Sequence, residues 1–211
     1  MSEKIKINKE FLGELELLLD TDNKLKIESK IKDLHSADIA EVIEELEENH
    51  AKTLFNLVNQ EKSALVLMEV EDDVREFLLS GLSAKEIASE VIDNLESDDA
   101  ADVIGELSEE KQGEVLSHIE DKEHASDISD LLTYHEDTAG GLMAKELIKV
   151  NENWSTLQCL REMRKQAENI KQVHTIYVVD DNDILLGSMS LRRLLLTETN
   201  TPIKKIIKTD I

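Results

Sequence analysis

Apolar residues close short stretches of this chain at a beat of twelve or thirteen residues: Leu34, Leu46, Val58, Val70, Leu82, Leu95, Leu107, Ile119 and Leu132. A stretch such as Ile39-Ala40-Glu41-Val42-Ile43-Glu44-Glu45-Leu46 leaves room for one helix of about two to three turns and a tight turn. A helix that short is marginal alone and cannot bury its apolar face by itself. Stacked neighbours must bury it, which predicts a helical superhelix. The internal match is clearest between Ala40-Glu41-Val42-Ile43-Glu44-Glu45-Leu46 and Ala101-Asp102-Val103-Ile104-Gly105-Glu106-Leu107.

Charge divides the chain where the beat ends. Through Leu142 there are 38 Asp and Glu against 13 Lys and Arg, a net of about −25, whereas from Met143 onward there are 9 against 11. The acidity therefore belongs to the repeat. Most of these carboxylates suit the solvated face of amphipathic helices. Their summed field attracts cations and repels phosphates, which argues against nucleic acid and anionic membranes as partners.

The 211 residues allow one acidic helical domain and one small mixed domain, divided at 1–137 and 138–211. Cys159 is the only cysteine, so an intramolecular disulfide and a thiolate zinc site are excluded, which suits a reducing cytosol. No apolar run approaches the roughly 20 residues of a membrane helix, and the amino terminus lacks a signal-peptide core. A soluble chain, or the soluble part of something larger, is expected.

The second segment changes period. Glu146–Val150 reads as a strand, Ser155–Ala167 as a helix opened by a serine cap, and Thr175–Val179 as a buried strand. A turn at Asp180–Asp183 leads to a hairpin partner at Ile184–Met189. Ser190 then caps a helix through Leu196, and Pro202 restarts the chain at Ile203.

Ile176-Tyr177-Val178-Val179-Asp180 followed by Leu186-Gly187-Ser188-Met189-Ser190-Leu191-Arg192 resembles a CBS motif. The preceding Glu136-Asp137-Thr138-Ala139-Gly140-Gly141-Leu142-Met143 resembles the junction of the MgtE family of magnesium transporters and channels. The resemblance covers roughly residues 30 to 211 and implies a mainly α chain: a right-handed superhelix of short helices followed by a small α/β CBS motif. That family joins such a superhelix to a CBS pair and a membrane pore, so the resemblance implies a fragment of the intracellular portion, cut before the second CBS motif. It also implies a place at the cytoplasmic face of the cell membrane, with the second CBS motif and the pore as partners in a homodimeric full-length protein.

The resemblance implies magnesium as the ion for the acidic repeat. Magnesium is a hard cation that takes oxygen ligands in octahedral geometry and keeps several waters, so one or two well-placed carboxylates suffice. Asp98 and Asp102, in Ser97-Asp98-Asp99-Ala100-Ala101-Asp102, stand four apart at a helix start and can share one face. Spacing alone does not separate this role from that of a helix N-cap at Asp98 or Asp99. The family resemblance adds a third ligand, a backbone carbonyl of the glycine pair at Gly141, for regulatory magnesium. The glycine pair equally suits a helix-ending turn.

Other clusters carry less. Glu44-Glu45-Glu47-Glu48 and Glu71-Asp72-Asp73 read as solvated faces or caps, and the histidines at 35, 50, 118, 124, 135 and 174 have no transition-metal spacing. No phosphate loop, nucleophile elbow or paired acid and base motif is present, so no enzyme is expected. Gly187-x-x-Ser190-x-x-Arg193 overlaps the pattern with which CBS proteins hold a nucleotide ribose and phosphate, but Arg193 stands where the acidic residue is expected.

The expectation is a non-enzymatic magnesium sensor, the gate-regulating region of an MgtE-like channel or transporter. An adenine-nucleotide-responsive CBS module and a helical protein-interaction scaffold are the alternatives.

Overall fold

The computed structural model describes residues 7–135, 138–167, 170, 173 and 175–209. The chain divides into two compact units, Met1–Met143 and Ala144–Ile211.

The first unit is a run of short helices: α1 (Lys9–Asp20), α2 (Lys24–Ile31), α3 (Ser36–Glu45), α4 (Glu48–Phe55), α5 (Gln60–Glu69), α6 (Asp72–Ser80) and α7 (Ala84–Glu86). A π turn (Ile87–Val91) and a 3₁₀ turn (Ile92–Asn94) follow, then α8 (Ser97–Gly105), α9 (Glu109–His118) and α10 (Lys122–Leu131). Asn8, Asn59, Ser83, Ser108 and Asp121 open five of these helices by accepting a hydrogen bond from a first-turn amide. The beat of apolar residues marks where helices stop. Leu46, Val70, Leu95 and Ile119 are C-cap residues in extended conformation, buried at 9%, 3%, 5% and 0% exposure. At these four positions the chain turns by tucking an apolar side chain back into the core, with no left-handed glycine at any described position.

Several helices pack against the one two places along, α3 on α5, α7 on α9 and α8 on α10, and α1 packs on both α2 and α4. This stacking is how helices of eight to twelve residues find the apolar cover they cannot make alone. The result is one continuous core, from Phe11 in α1 to Leu131 in α10, with Ile104, Val115 and Ile128 fully enclosed.

The second unit follows the expected order of strand, helix, strand, strand and helix. β1 (Ile148–Asn151), α11 (Thr156–Gln166), β2 (Ile176–Val179), β3 (Leu185–Met189) and α12 (Leu191–Leu195) precede a 3₁₀ turn at Ile203–Lys205. β1 lies parallel to β2 with Ile148 opposite Ile176 and Val150 opposite Val178, and β3 pairs antiparallel on the other side of β2. Parallel pairing needs a crossover, which α11 supplies. Ser155 opens α11 with a capping box to Gln158, and Ser190 caps α12. Asp180 Oδ1 accepts from the amides of Asn182 and Ile184 and shapes the β2–β3 turn, with Asp183 in the left-handed region. Cys159 is enclosed in this core, and burial pushes its thiol up to about 11. Among the described residues no helix is long and apolar enough to cross a membrane.

Candidate functional site

Helix α8 carries the carboxylates that the sequence singles out. Its N-cap is Glu96, so neither Asp98 nor Asp99 is the N-cap residue; both stand inside the first turn. There the exposed amide ends of the helix favour negative charge. Asp98 is half-buried, and its Oδ1 is shut off from solvent without a hydrogen-bond partner. A buried carboxylate oxygen without a partner costs free energy unless a donor or cation meets it. Asp102 lies one turn further along and is exposed. Ala100, Ala101, Val103 and Ile104 are buried on the same helix, which fixes it in rotation.

The far end of α8 is tied by a residue the sequence reading passed over. Arg75, 9% exposed, donates from Nε to the Leu67 carbonyl at 2.7 Å and from one terminal nitrogen to the Val70 carbonyl at 3.2 Å. Its other terminal nitrogen pairs with Glu106, the C-cap residue of α8. One guanidinium thus joins the end of α5 to the end of α8. A signal was available: Arg75 is the only arginine among the first 160 residues.

Gly141 belongs to the same compact unit. The glycine pair does not end a helix: α10 stops at Leu131, and residues 138–142 form a separate turn. Thr138 organises it. Its hydroxyl donates to the His135 carbonyl at 2.7 Å and accepts from the Gly141 amide at 3.3 Å, while its carbonyl accepts from the Leu142 amide at 3.2 Å. The junction residues Glu136 and Asp137, like His174, lie outside the described residues.

Among the described residues no group of three or more histidine, cysteine, aspartate or glutamate side chains is gathered tightly enough to hold a metal ion.

In the second unit both residues of the nucleotide pattern have structural work. Gly187 is buried in β3, and a side chain there would meet the Lys208 backbone, with the carbonyl carbon at 3.1 Å. The close approach is what lets Ser188 exchange hydrogen bonds with Lys208 at 2.9 and 2.8 Å. Ser190 Oγ accepts from the Arg193 amide at 3.3 Å as the cap of α12.

With this geometry in view, the comparisons with known proteins are specific. The family model described as the MgtE intracellular N domain matches residues 34–137, and that of the CBS domain matches residues 139–198. The magnesium transporter MgtE of Thermus thermophilus is 26% identical over 178 residues, 84% of this chain and 40% of that protein. The magnesium transporter MgtE of Enterococcus faecalis is 32% identical over 85 residues, 40% of this chain and 19% of that protein. The chain thus matches less than half the length of either relative. Among solved structures, the cytosolic domain of the Mg2+ channel MgtE in complex with ATP superposes with a TM-score of 0.83 at 25% identity, covering 95% of this chain and 81% of that one. The soluble part of a magnesium transporter shares the fold, with a TM-score of 0.74 at 23% identity over 96% of this chain and 79% of that one.

Proposed function

We propose that this chain is the magnesium-sensing, gate-regulating region of an MgtE-like magnesium transporter or channel; the reading is supported by the match of residues 34–137 to the MgtE intracellular N domain model and of residues 139–198 to that of the CBS domain. On this reading it acts at the cytosolic face of a membrane, on an ion that is cargo for the pore and regulator for this region, and it performs no catalysis. The pore, a second CBS motif and a second copy of the chain are its partners in the whole protein.

The observation that carries the reading is the unpartnered Oδ1 of Asp98 in a segment with a net charge of about −25. Asp98 would supply the enclosed oxygen, Asp102 the exposed one from the next turn, and the Gly141 carbonyl a neutral donor. The ion neutralises carboxylates that otherwise repel. It shifts the population toward whichever state holds those oxygens together, and only by as much as it prefers that state. Regulation therefore requires one arrangement to bind magnesium more tightly than the other.

A second reading, response to an adenine nucleotide, is favoured by one observation: the similar cytosolic domain was solved in complex with ATP. Against it stand Arg193 at the acidic position and the structural work of Gly187 and Ser190. Calorimetric titration with magnesium chloride and then with ATP separates the two. Saturable magnesium binding supports the sensor; heat with ATP and none with magnesium supports the nucleotide module.

A further inference from the structure

The Tyr134 ring lies against Gly140 where a side chain would otherwise be. A methyl group built on Gly140 would lie 2.7 Å from Tyr134 Cγ and 3.0 Å from Cε1, closer than carbon atoms approach without something moving. Gly140 does not need to be glycine for its backbone, since no described glycine has positive φ. The ring alone makes the demand. Tyr134 is held from the other side by its amide, which donates to the Leu131 carbonyl at 3.0 Å at the end of α10. α10 packs on α8, the helix of Asp98 and Asp102, and Leu132 at its end lies 3.8 Å from where a side chain on Gly105 of α8 would begin.

From this packing we infer that Tyr134 is a positioning residue for the 138–142 turn, setting where Gly141 presents its carbonyl by seating its ring on the bare backbone of Gly140. The inference rests on the magnesium reading above. The Thr138 hydroxyl fixes the turn internally through His135 and Gly141, and the ring fixes it against the end of α10. The contact is made by ring carbons, so the tyrosine hydroxyl is dispensable to it. Tyr134 is 45% exposed, and its loss should leave the core of the unit intact.

The test is magnesium titration of the 211-residue chain by calorimetry, with the melting temperature of each variant measured beside it. Tyr134→Phe should keep the wild-type Kd. Tyr134→Ala should raise it about tenfold with little change in melting temperature, the scale seen when groups that orient metal ligands are removed. Gly140→Ala should raise Kd by a similar factor because it displaces the ring. In the double variant the factors should not multiply, since both changes break one contact. A wild-type Kd in Tyr134→Ala, or multiplicative losses in the double variant, would overturn the positioning role. Asp98→Asn, run in parallel, keeps the two readings apart. If it too binds magnesium normally, the ion site itself is refuted; if it alone binds weakly, only the role of Tyr134 is.

Discussion

Arg75 and Glu106 form an ion pair across 31 residues of sequence, linking the buried arginine of helix α6 to the partly exposed C-cap of α8 in a strongly acidic segment. The guanidinium also satisfies the Leu67 and Val70 carbonyls, so removing it strands two acceptors and one carboxylate. Arg75→Met should cost about 2–4 kcal/mol, and Glu106→Gln about 1–2 kcal/mol because the Glu106 side chain is still one-third exposed. Urea denaturation measures both. A loss below about 0.5 kcal/mol for Arg75→Met would show that the guanidinium contributes no more than an ordinary surface residue.

The net charge of the repeat makes a second expectation. Magnesium chloride should raise the melting temperature more than sodium chloride of equal ionic strength, because specific binding to the folded state stabilises by mass action whereas monovalent salt only screens repulsion. Equal shifts from the two salts would reduce the effect to screening.

Gly187 and Gly113 should respond oppositely to alanine. At Gly187 the added methyl meets the Lys208 backbone, and Gly187→Ala should destabilise the second unit by about 1–3 kcal/mol. Gly113, within α9, has nothing within 4 Å, so Gly113→Ala should stabilise by up to about 1 kcal/mol through helix propensity. Thermal melts followed by circular dichroism check both, and a neutral Gly187→Ala would mean that the Lys208 segment yields.

Burial holds the Asp93 carboxyl above its usual range; His124 opposes the shift, and Glu120 and Asp121 add to it. A carboxylate whose pKa rises on folding contributes stability that is present below its unfolded pKa and lost as pH climbs through its folded pKa. Ionised Asp93 therefore opposes folding at neutral pH. Asp93→Asn should raise the melting temperature there, with the gain shrinking as pH falls through the carboxylate range. A constant gain across that range would assign the effect to packing.

The helical stack was legible because its period is physical. Leu46, Val70, Leu95 and Ile119 had to be apolar to close each helix onto the core, and they fall at the C-caps. The order of elements in the second unit followed equally from Ser155, Ser190 and the Asp180 turn. Helix starts were less plain: Asp98 looked like a cap because acidic residues favour the whole first turn, and Glu96 holds the position instead. The glycine pair looked like a helix stop, but the Tyr134 ring, not backbone conformation, explains Gly140. Contacts such as Arg75 with Glu106 bridge segments 31 residues apart and leave no local pattern.

On the proposed reading, magnesium is held at α8 and not by the acidic field at large. Asp98→Asn with Asp102→Asn removes two carboxylates from the proposed site, and Glu47→Gln with Glu48→Gln removes two exposed ones from the start of α4, so total charge changes equally. Calorimetric titration of the wild type and both double variants with magnesium chloride is the direct measurement. The expected result is a Kd at least about tenfold weaker for the α8 pair, since a hard cation needs the charged oxygen, and an unchanged Kd for the α4 pair. Equal weakening in both, or wild-type binding in the α8 pair, would contradict a site at α8.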